Sequence, residues 1–296
     1  MIIDSHLETS FLSIPTAPFN AVVMAEPSFF EVVYAINPFM KDSQGQLQKV
    51  DKTQAVAQWN QLASLFRDLN LQVFTLSGVL GLPDLVFTAN QSFPFWNSRT
   101  NKYEVILSRM RSQERQNEVS HLEKFWKTRG FTVHTLNHSG AFESNGDAIY
   151  SPIHGLVFGG YGSRTDKEVY AELSERFGLT IVRLELCSKD FYHLDTCFSI
   201  LSKEVVAIQP EAFSSEGLKL IHSLFSKVIS IPYEENLKYF CGNCFCPDGS
   251  NVILQKGSPA FARELTQLGF KTWEVETGEF MNSGGSVFCL KLFVPG

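Results

Sequence analysis

No stretch of this 296-residue chain approaches the roughly 18 consecutive apolar residues that a membrane-crossing helix needs. The opening MIIDSHLETSFLSIPTAPFN carries Asp4 and no basic segment ahead of an apolar block, so it does not read as a secretory signal. Cysteine is scarce, six in all; without a secretory signal these read as free thiols rather than a disulfide framework. Positive charge is short: 25 Lys and Arg stand against 31 Asp and Glu, a net charge of −6. That excludes a general nucleic-acid binder, which needs a basic face. Linkers rich in Pro, Gly or Ser and low-complexity tracts are missing too, so residues 1–296 read as one domain, placed in the cytoplasm. What is abundant is apolar bulk, 44% hydrophobic residues with 26 Phe, enough for a thick packed interior.

The apolar pattern repeats. AVVMAEP reads as a strand, KTQAVAQWNQLASLFRDLN as an amphipathic helix and LQVFTL as a strand. DLVFTANQSFPF with YEVILSRM, and GDAIYSP with GLVFGGY, read as hairpins, each followed by a helix and a further strand. YHLDTCFSIL and EVVAIQ begin a fourth copy, and KYFCGNCFC and NVILQKG a fifth. The terminal SVFCLKLFV supplies the strand missing from the first copy. Helix centres fall about 45 to 60 residues apart, a spacing typical of repeat architectures. The expected fold is therefore α/β: five strand–strand–helix–strand units closing into a ring, a five-bladed α/β propeller around a central pocket, with its core over residues 21–294.

Polar islands interrupt the pattern at equivalent hairpin positions. GLPDLVFTANQSF carries Asp84 and Asn90, and AFESNGDAIY carries Glu143 and Asp147. FYHLDTCFSIL puts His193 and Asp195 two apart, on one face if the segment is extended. NSGGSVFCL runs a small-residue loop into Cys289. Each has a bland reading: Asp84 after Pro83 as a turn former, a cysteine as a small core hydrophobe. In a ring, however, they face one another, and a thiol, an imidazole and several carboxylates together suit nucleophilic attack on a cationic carbon. Arg115 in ERQNE and Arg164 in GYGSRTD are candidates for gripping a substrate carboxylate. CGNCFC (Cys241, Cys244, Cys246) opens like a zinc or redox motif, but no fourth ligand stands nearby and strand alternation would split its thiols between two faces. Core packing is the reading taken, with no metal and no cofactor expected.

PDLVFTAN, FESNGDA, GYGSRTD, FYHLDTCF and SGGSVFC resemble, in this order, the motifs of the guanidino-group-modifying enzymes, whose fold is the pentein propeller. The likeness runs from about Ala21 to Val294 and is strongest to the arginine dihydrolase module, through INPFM, GLPDLVFTAN, ERQ and FYHLDTCF. It implies Cys289 as nucleophile, His193 as general acid/base and Glu143 as a carboxylate holding the guanidinium. Asp195 assists in the same pocket and Asp147 supports it from behind. Arg115 and Arg164 fall where relatives hold the substrate's carboxylate. Asn90 falls where deiminases and dimethylargininases carry an aspartate. Ser144 and Ser286 depart from glycines common in the family. The second, cofactor-binding domain of some bacterial dihydrolases is not expected here.

The chemistry implied is attack of the Cys289 thiolate on the guanidinium carbon, loss of ammonia protonated by His193, and hydrolysis of an S-alkylthiouronium by a water that His193 activates. Free cysteine titrates near 8.5, and a bound cationic substrate lowers that. An amide at position 90 can donate as well as accept, so it can bind the ureido group of citrulline for a second hydrolysis that yields ornithine, carbon dioxide and ammonia. The expected partner is a small arginine-like molecule, with no nucleic acid and no membrane. Alternatives are an arginine deiminase, a dimethylargininase, an amidinotransferase or a pentein used only for binding.

Overall fold

The computed structural model describes residues 1–4 and 19–296, so most of the opening stretch read for a signal lies outside them. The strands of the described residues form five separate sheets. Three share one plan, in which an antiparallel pair is followed by a helix that returns the chain to a third, parallel strand. They are Ser92–Asn97, Lys102–Leu107 and Thr132–His134; Ala148–Ser151, Leu156–Tyr161 and Ile181–Glu185; and Phe198–Ile200, Val205–Ile208 and Lys227–Ser230. A parallel neighbour cannot be reached by a tight turn, so each third strand needs its helical crossover.

In the first unit Phe19–Ala25 pairs in parallel with Gln72–Leu76, and its antiparallel partner comes from the far end of the chain, Leu292–Pro295, with Leu292 opposite Val23 and Val294 opposite Ala21. The terminal strand completes the first unit as expected. Helix Lys52–Asp68 between them is capped by Asp51, whose carboxylate accepts from Thr53 N at 2.9 Å and Gln54 N at 3.1 Å. It buries Ala55, Trp59, Leu62, Ala63 and Phe66, the spacing of one helical face, against the first sheet and its neighbours. Each large side chain so covered contributes about 1.5–3 kcal/mol.

The fifth unit departs from expectation. KYFCGNCFC is not a strand: helix Tyr233–Tyr239 ends at Phe240 (φ 49°), and only a single bridge between Phe245 and Ile253 stands where the unit's first strand was expected. Its sheet is the parallel pair Asn251–Gln255 and Lys271–Val275. The strand alternation applied to the three cysteines therefore fails. Cys241 and Cys244 pack in one apolar cluster with Val252 and Phe261, and Cys246 packs against it. Burial pushes Cys241 up to about 12 and Cys244 up to about 11, so both remain neutral thiols. A further strand, Ile2–Ile3, lies parallel to Ile181–Glu185 and was not foreseen. Among the described residues no helix is long and apolar enough to cross a membrane.

The polar islands occupy the same place in every unit, immediately ahead of its first strand. Three coil as single turns of 3₁₀ helix, Pro83–Val86, Ser144–Gly146 and Leu194–Thr196; the others are the segments 240–244 and 283–291. Hydrogen bonds join all five in a circuit. Ala89 N donates to Cys289 O (3.3 Å) and Asn145 N to Ala89 O (2.9 Å). Leu194 N donates to Asp147 Oδ1 (3.1 Å) and Asn243 Nδ2 to Asp195 O (2.9 Å). Phe288 N donates to Asn243 O (3.0 Å) and returns the path to the segment of Cys289.

Candidate active site

Where these turns meet, a narrow pocket of about 20 Å³ is lined by Asp84, Asn90, Arg115, Arg164, His193 and Cys289, six of the nine residues singled out from the sequence. Glu143, Asp147 and Asp195 stand behind them, each fully buried. The strand reading of the His193/Asp195 pair needs correction. His193 has extended backbone (φ −126°, ψ 152°), but Leu194–Thr196 coils into a 3₁₀ turn, so alternation ends at His193. The two side chains diverge. His193 turns to Glu143 and Asp195 to the thiol.

His193 Nε2 donates to Glu143 Oε2 at 2.8 Å, with Asp147 Oδ2 at 4.0 Å. The same Glu143 oxygen accepts from Arg164 Nη1 (3.2 Å), and Oε1 accepts from Arg111 N (2.9 Å). Burial alone would raise this carboxyl. The His193 hydrogen bond and the charges of His193, Arg164 and Arg115 outweigh it and bring Glu143 down to about 2. Both its oxygens are therefore engaged, and the expectation that Glu143 grips a guanidinium directly is not met in this geometry. Asp147, with fewer compensating donors, is raised by burial to about 6.

Cys289 is 4% exposed. Its Sγ donates to Asp195 Oδ2 at 3.3 Å and accepts from Asn243 Nδ2 at 3.1 Å. Burial first, then the Asp195 carboxylate, pushes the thiol well above the ordinary cysteine range. Asp195 is itself lifted by burial to about 7, against the hydrogen bond from Cys289 and the charge of Lys291, and its Oδ1 has no donor. The resting pair is a protonated thiol beside an acceptor with one empty oxygen, a place that an incoming N–H cation would satisfy.

Asn90 is held in one orientation. Arg115 Nη1 lies 3.1 Å from its Oδ1, and a guanidinium only donates, so the amide oxygen must face Arg115. The amide nitrogen Nδ2 is left buried without an acceptor. A Cβ at Gly146 would run into that nitrogen, which is why Ser-Asn-Gly carries no side chain at its third position. Arg115 is otherwise occupied: Nε reaches both Glu118 oxygens at 3.1 Å, and Nη2 reaches Glu118 Oε2 at 2.9 Å and Asp84 O at 3.2 Å. It is not free to take a substrate carboxylate. Arg164 is better placed. It lies over the Tyr192 ring at 4.9 Å, and Nη2 donates to Ile36 O at 2.7 Å.

Several contributors were missed. Asn243 lies inside CGNCFC, a stretch read only for its cysteines; its Oδ1 accepts from Ser286 N (3.2 Å), Phe288 N (3.0 Å) and Cys289 N (3.2 Å). Tyr34 and Ser283 donate to Asp84 Oδ2 and Oδ1, both at 2.9 Å. Asn37 Nδ2 ties Ser283 O at 2.9 Å. Gly284, at φ 83°, lets the loop pass where a Cβ would meet the Tyr192 hydroxyl at 2.6 Å. The only signal for Asn37 was the likeness of INPFM, which names no role, and Tyr34, two residues ahead of that stretch, carried none. A volume of about 20 Å³ holds a water, not an amino acid. Ile36, Asn37 and Met40 form one side of it, tethered through Arg164 and Ser283.

Residues 26–291 match the family model for eukaryotic N,N-dimethylarginine dimethylhydrolase. The chain is 32% identical to the N(G),N(G)-dimethylarginine dimethylaminohydrolase of Mycobacterium tuberculosis, over 98% of this chain and 91% of that protein. It is 32% identical to the bifunctional arginine dihydrolase/ornithine cyclodeaminase AgrE of Nostoc sp., over 92% of this chain but 37% of that one. The solved N-terminal domain of ArgZ, a cyanobacterial arginine dihydrolase bound to its substrate, superposes with a TM-score of 0.84 at 29% identity, over 92% of this chain and 97% of that domain. The chain belongs to the dimethylarginine dimethylaminohydrolase family, hydrolases of guanidino carbon–nitrogen bonds.

Proposed function

We propose that the protein hydrolyses arginine twice at one site, giving ornithine, carbon dioxide and two ammonia molecules. The observation that carries this is the buried Asn90 amide, locked by Arg115 so that its NH₂ has no acceptor to receive it. A guanidinium has only donors and leaves that NH₂ unsatisfied. The ureido carbonyl of citrulline satisfies it. The site is therefore matched to the product of a first hydrolysis, which is then held as the substrate of a second. The likeness to solved arginine dihydrolases points the same way.

In the first round the guanidinium lies against Asp195 Oδ1, and its charge lowers the pKa of the buried thiol. Cys289 Sγ bonds to the guanidinium carbon and ammonia leaves with a proton from His193. The S-alkylthiouronium takes water deprotonated by His193, releasing citrulline and the thiolate. In the second round sulfur attacks the ureido carbon, a second ammonia leaves, and water frees a carbamate that falls apart to ornithine and carbon dioxide. Glu143 holds the imidazole through Nε2 in both rounds. Arg164 exchanges Ile36 O for the substrate's α-carboxylate, which couples binding to release of the Ile36–Met40 segment. Asp84 and Asp147 set the negative potential around the cation. The five sheets are in this reading the blades of a closed pentein ring in one domain, residues 1–296, supported by the hydrogen-bond circuit around the site.

Incubation with arginine and quantification of citrulline, ornithine and ammonia tests the reading, with Cys289→Ser as the inactive control. Two ammonias per ornithine support it. Accumulating citrulline, or turnover of dimethylarginine but not arginine, overturns it.

A further inference from the structure

Behind the site-bearing turns lies a second cavity, of about 530 Å³, to which the guanidino chemistry gives no role. Its walls are largely apolar, including Tyr150, Ile153, Phe245 and Phe293. Donors line it without acceptors, the Tyr150 hydroxyl among them. Lys291 is 1% exposed, and its ammonium makes no hydrogen bond or ion pair among the described residues; it faces the rings of Phe288 at 3.1 Å and Phe245 at 4.3 Å. Asn145 Nδ2 is likewise buried and unpartnered.

Contacts with two rings stabilise a desolvated ammonium only in part, because taking it out of water costs more than they return. The deficit shows in the lysine itself. Burial brings Lys291 down to about 7, even though Asp195 and Cys289 pull in the other direction. The one carboxylate at the rim, Asp248, is engaged within its own turn, by Ser250 N at 2.9 Å and Asn251 N at 2.8 Å. Lys203 adds a second positive charge at the edge. An apolar chamber with unsatisfied donors and a net positive lining calls for an apolar molecule bearing an acceptor of negative charge.

We infer that this cavity is a binding site for small monocarboxylates with an apolar body, distinct from the guanidino pocket. The separation is built into the chain: Cys289 lines the narrow pocket while its neighbours Phe288 and Lys291 line the large one. A carboxylate bound there keeps Lys291 protonated two residues from the nucleophile.

Calorimetric titration at neutral pH with 4-phenylbutyrate, 4-phenylbutan-1-ol and 4-phenylbutylamine tests this. The carboxylate binds at least about tenfold tighter than the alcohol, a difference of about 1.4 kcal/mol, and the amine does not bind. Lys291→Met removes the preference for carboxylate over alcohol. Should that variant fail to fold, Ile153→Glu, at a side chain 51% exposed on the cavity wall, weakens the carboxylate at least about tenfold through like-charge repulsion. Saturating arginine, added to the Cys289→Ser variant so that it is not consumed, does not displace the carboxylate. Equal affinity for acid and alcohol, no binding at all, a preference that survives either substitution, or displacement by arginine each overturns the inference.

Discussion

Replacing Asn90 by Asp separates the two hydrolyses. The oxygen that now accepts from Arg115 Nη1 at 3.1 Å stays in place and gains a full charge, so the side chain keeps its orientation. The second carboxylate oxygen takes the position of Nδ2. Toward a guanidinium this is a gain, because a new acceptor meets an N–H. Toward a ureido carbonyl it is a loss, because two acceptors face each other and the hydrogen bond from Nδ2 is gone. A buried acceptor left without its donor costs about 1–3 kcal/mol, so kcat/KM for citrulline falls about 5- to 150-fold while that for arginine holds or rises. Time courses with arginine, resolved by amino-acid chromatography, therefore show citrulline accumulating in Asn90→Asp and ornithine in the native protein. Gly146→Ala probes the same amide from the opposite side, since the added methyl displaces Nδ2. If Asn90→Asp releases ornithine with no citrulline intermediate, the amide does not select between substrates and the reasoning fails.

Other outcomes follow from the same contacts. Glu143→Gln leaves His193 without its carboxylate and lowers kcat on the order of 10²–10⁴-fold with little change in KM, read by steady-state kinetics. Asn243→Ala strips an acceptor from three backbone N–H groups and a donor from the thiol; urea unfolding records a loss of about 2–4 kcal/mol. Asp195→Asn abolishes turnover but stabilises the fold in alkali. The native carboxyl is raised to about 7, so the folded state binds its proton more tightly than the unfolded chain and the native protein loses stability as pH rises from about 4 to 7. The advantage of the Asn variant in melting temperature is therefore absent near pH 4 and levels off above pH 7.

The repeat was legible because each amphipathic helix and its flanking strands carry their period locally; Ala55, Trp59, Leu62 and Phe66 announce one buried face without reference to any other unit. The polar islands were legible because Glu143, His193 and Cys289 interrupt apolar runs where packing gives no reason for them. Contact between islands was harder to read. Whether Glu143 meets a substrate or the imidazole depends on how the Ser144–Gly146 and Leu194–Thr196 turns coil, and the 3₁₀ geometry that parts His193 from Asp195 leaves no period in so short a segment. Asn243 was hidden for another reason: an asparagine between cysteines reads as a turn former, and the backbone groups it binds belong to a loop more than forty residues on, Ser286 to Cys289.

Arg115 shows how such a site can hold a preference that its lining alone does not reveal. An arginine buried with Glu118 in three bonds at 2.9–3.1 Å contributes little net stability, since the cost of desolvating both charges offsets their attraction. What the pair supplies is direction. Because guanidinium hydrogens can only donate, Arg115 turns a symmetric-looking amide into a one-way donor whose NH₂ is left without an acceptor. Because Glu118 neutralises it, this happens without placing a net positive charge where a cationic substrate must enter. An arginine without Glu118 would repel that substrate, and a Glu118 without its arginine would leave a buried carboxylate and a free amide rotor. In the proposed reading, the selection between guanidinium and ureido groups is thus set by a pair lying behind the residue that meets the substrate.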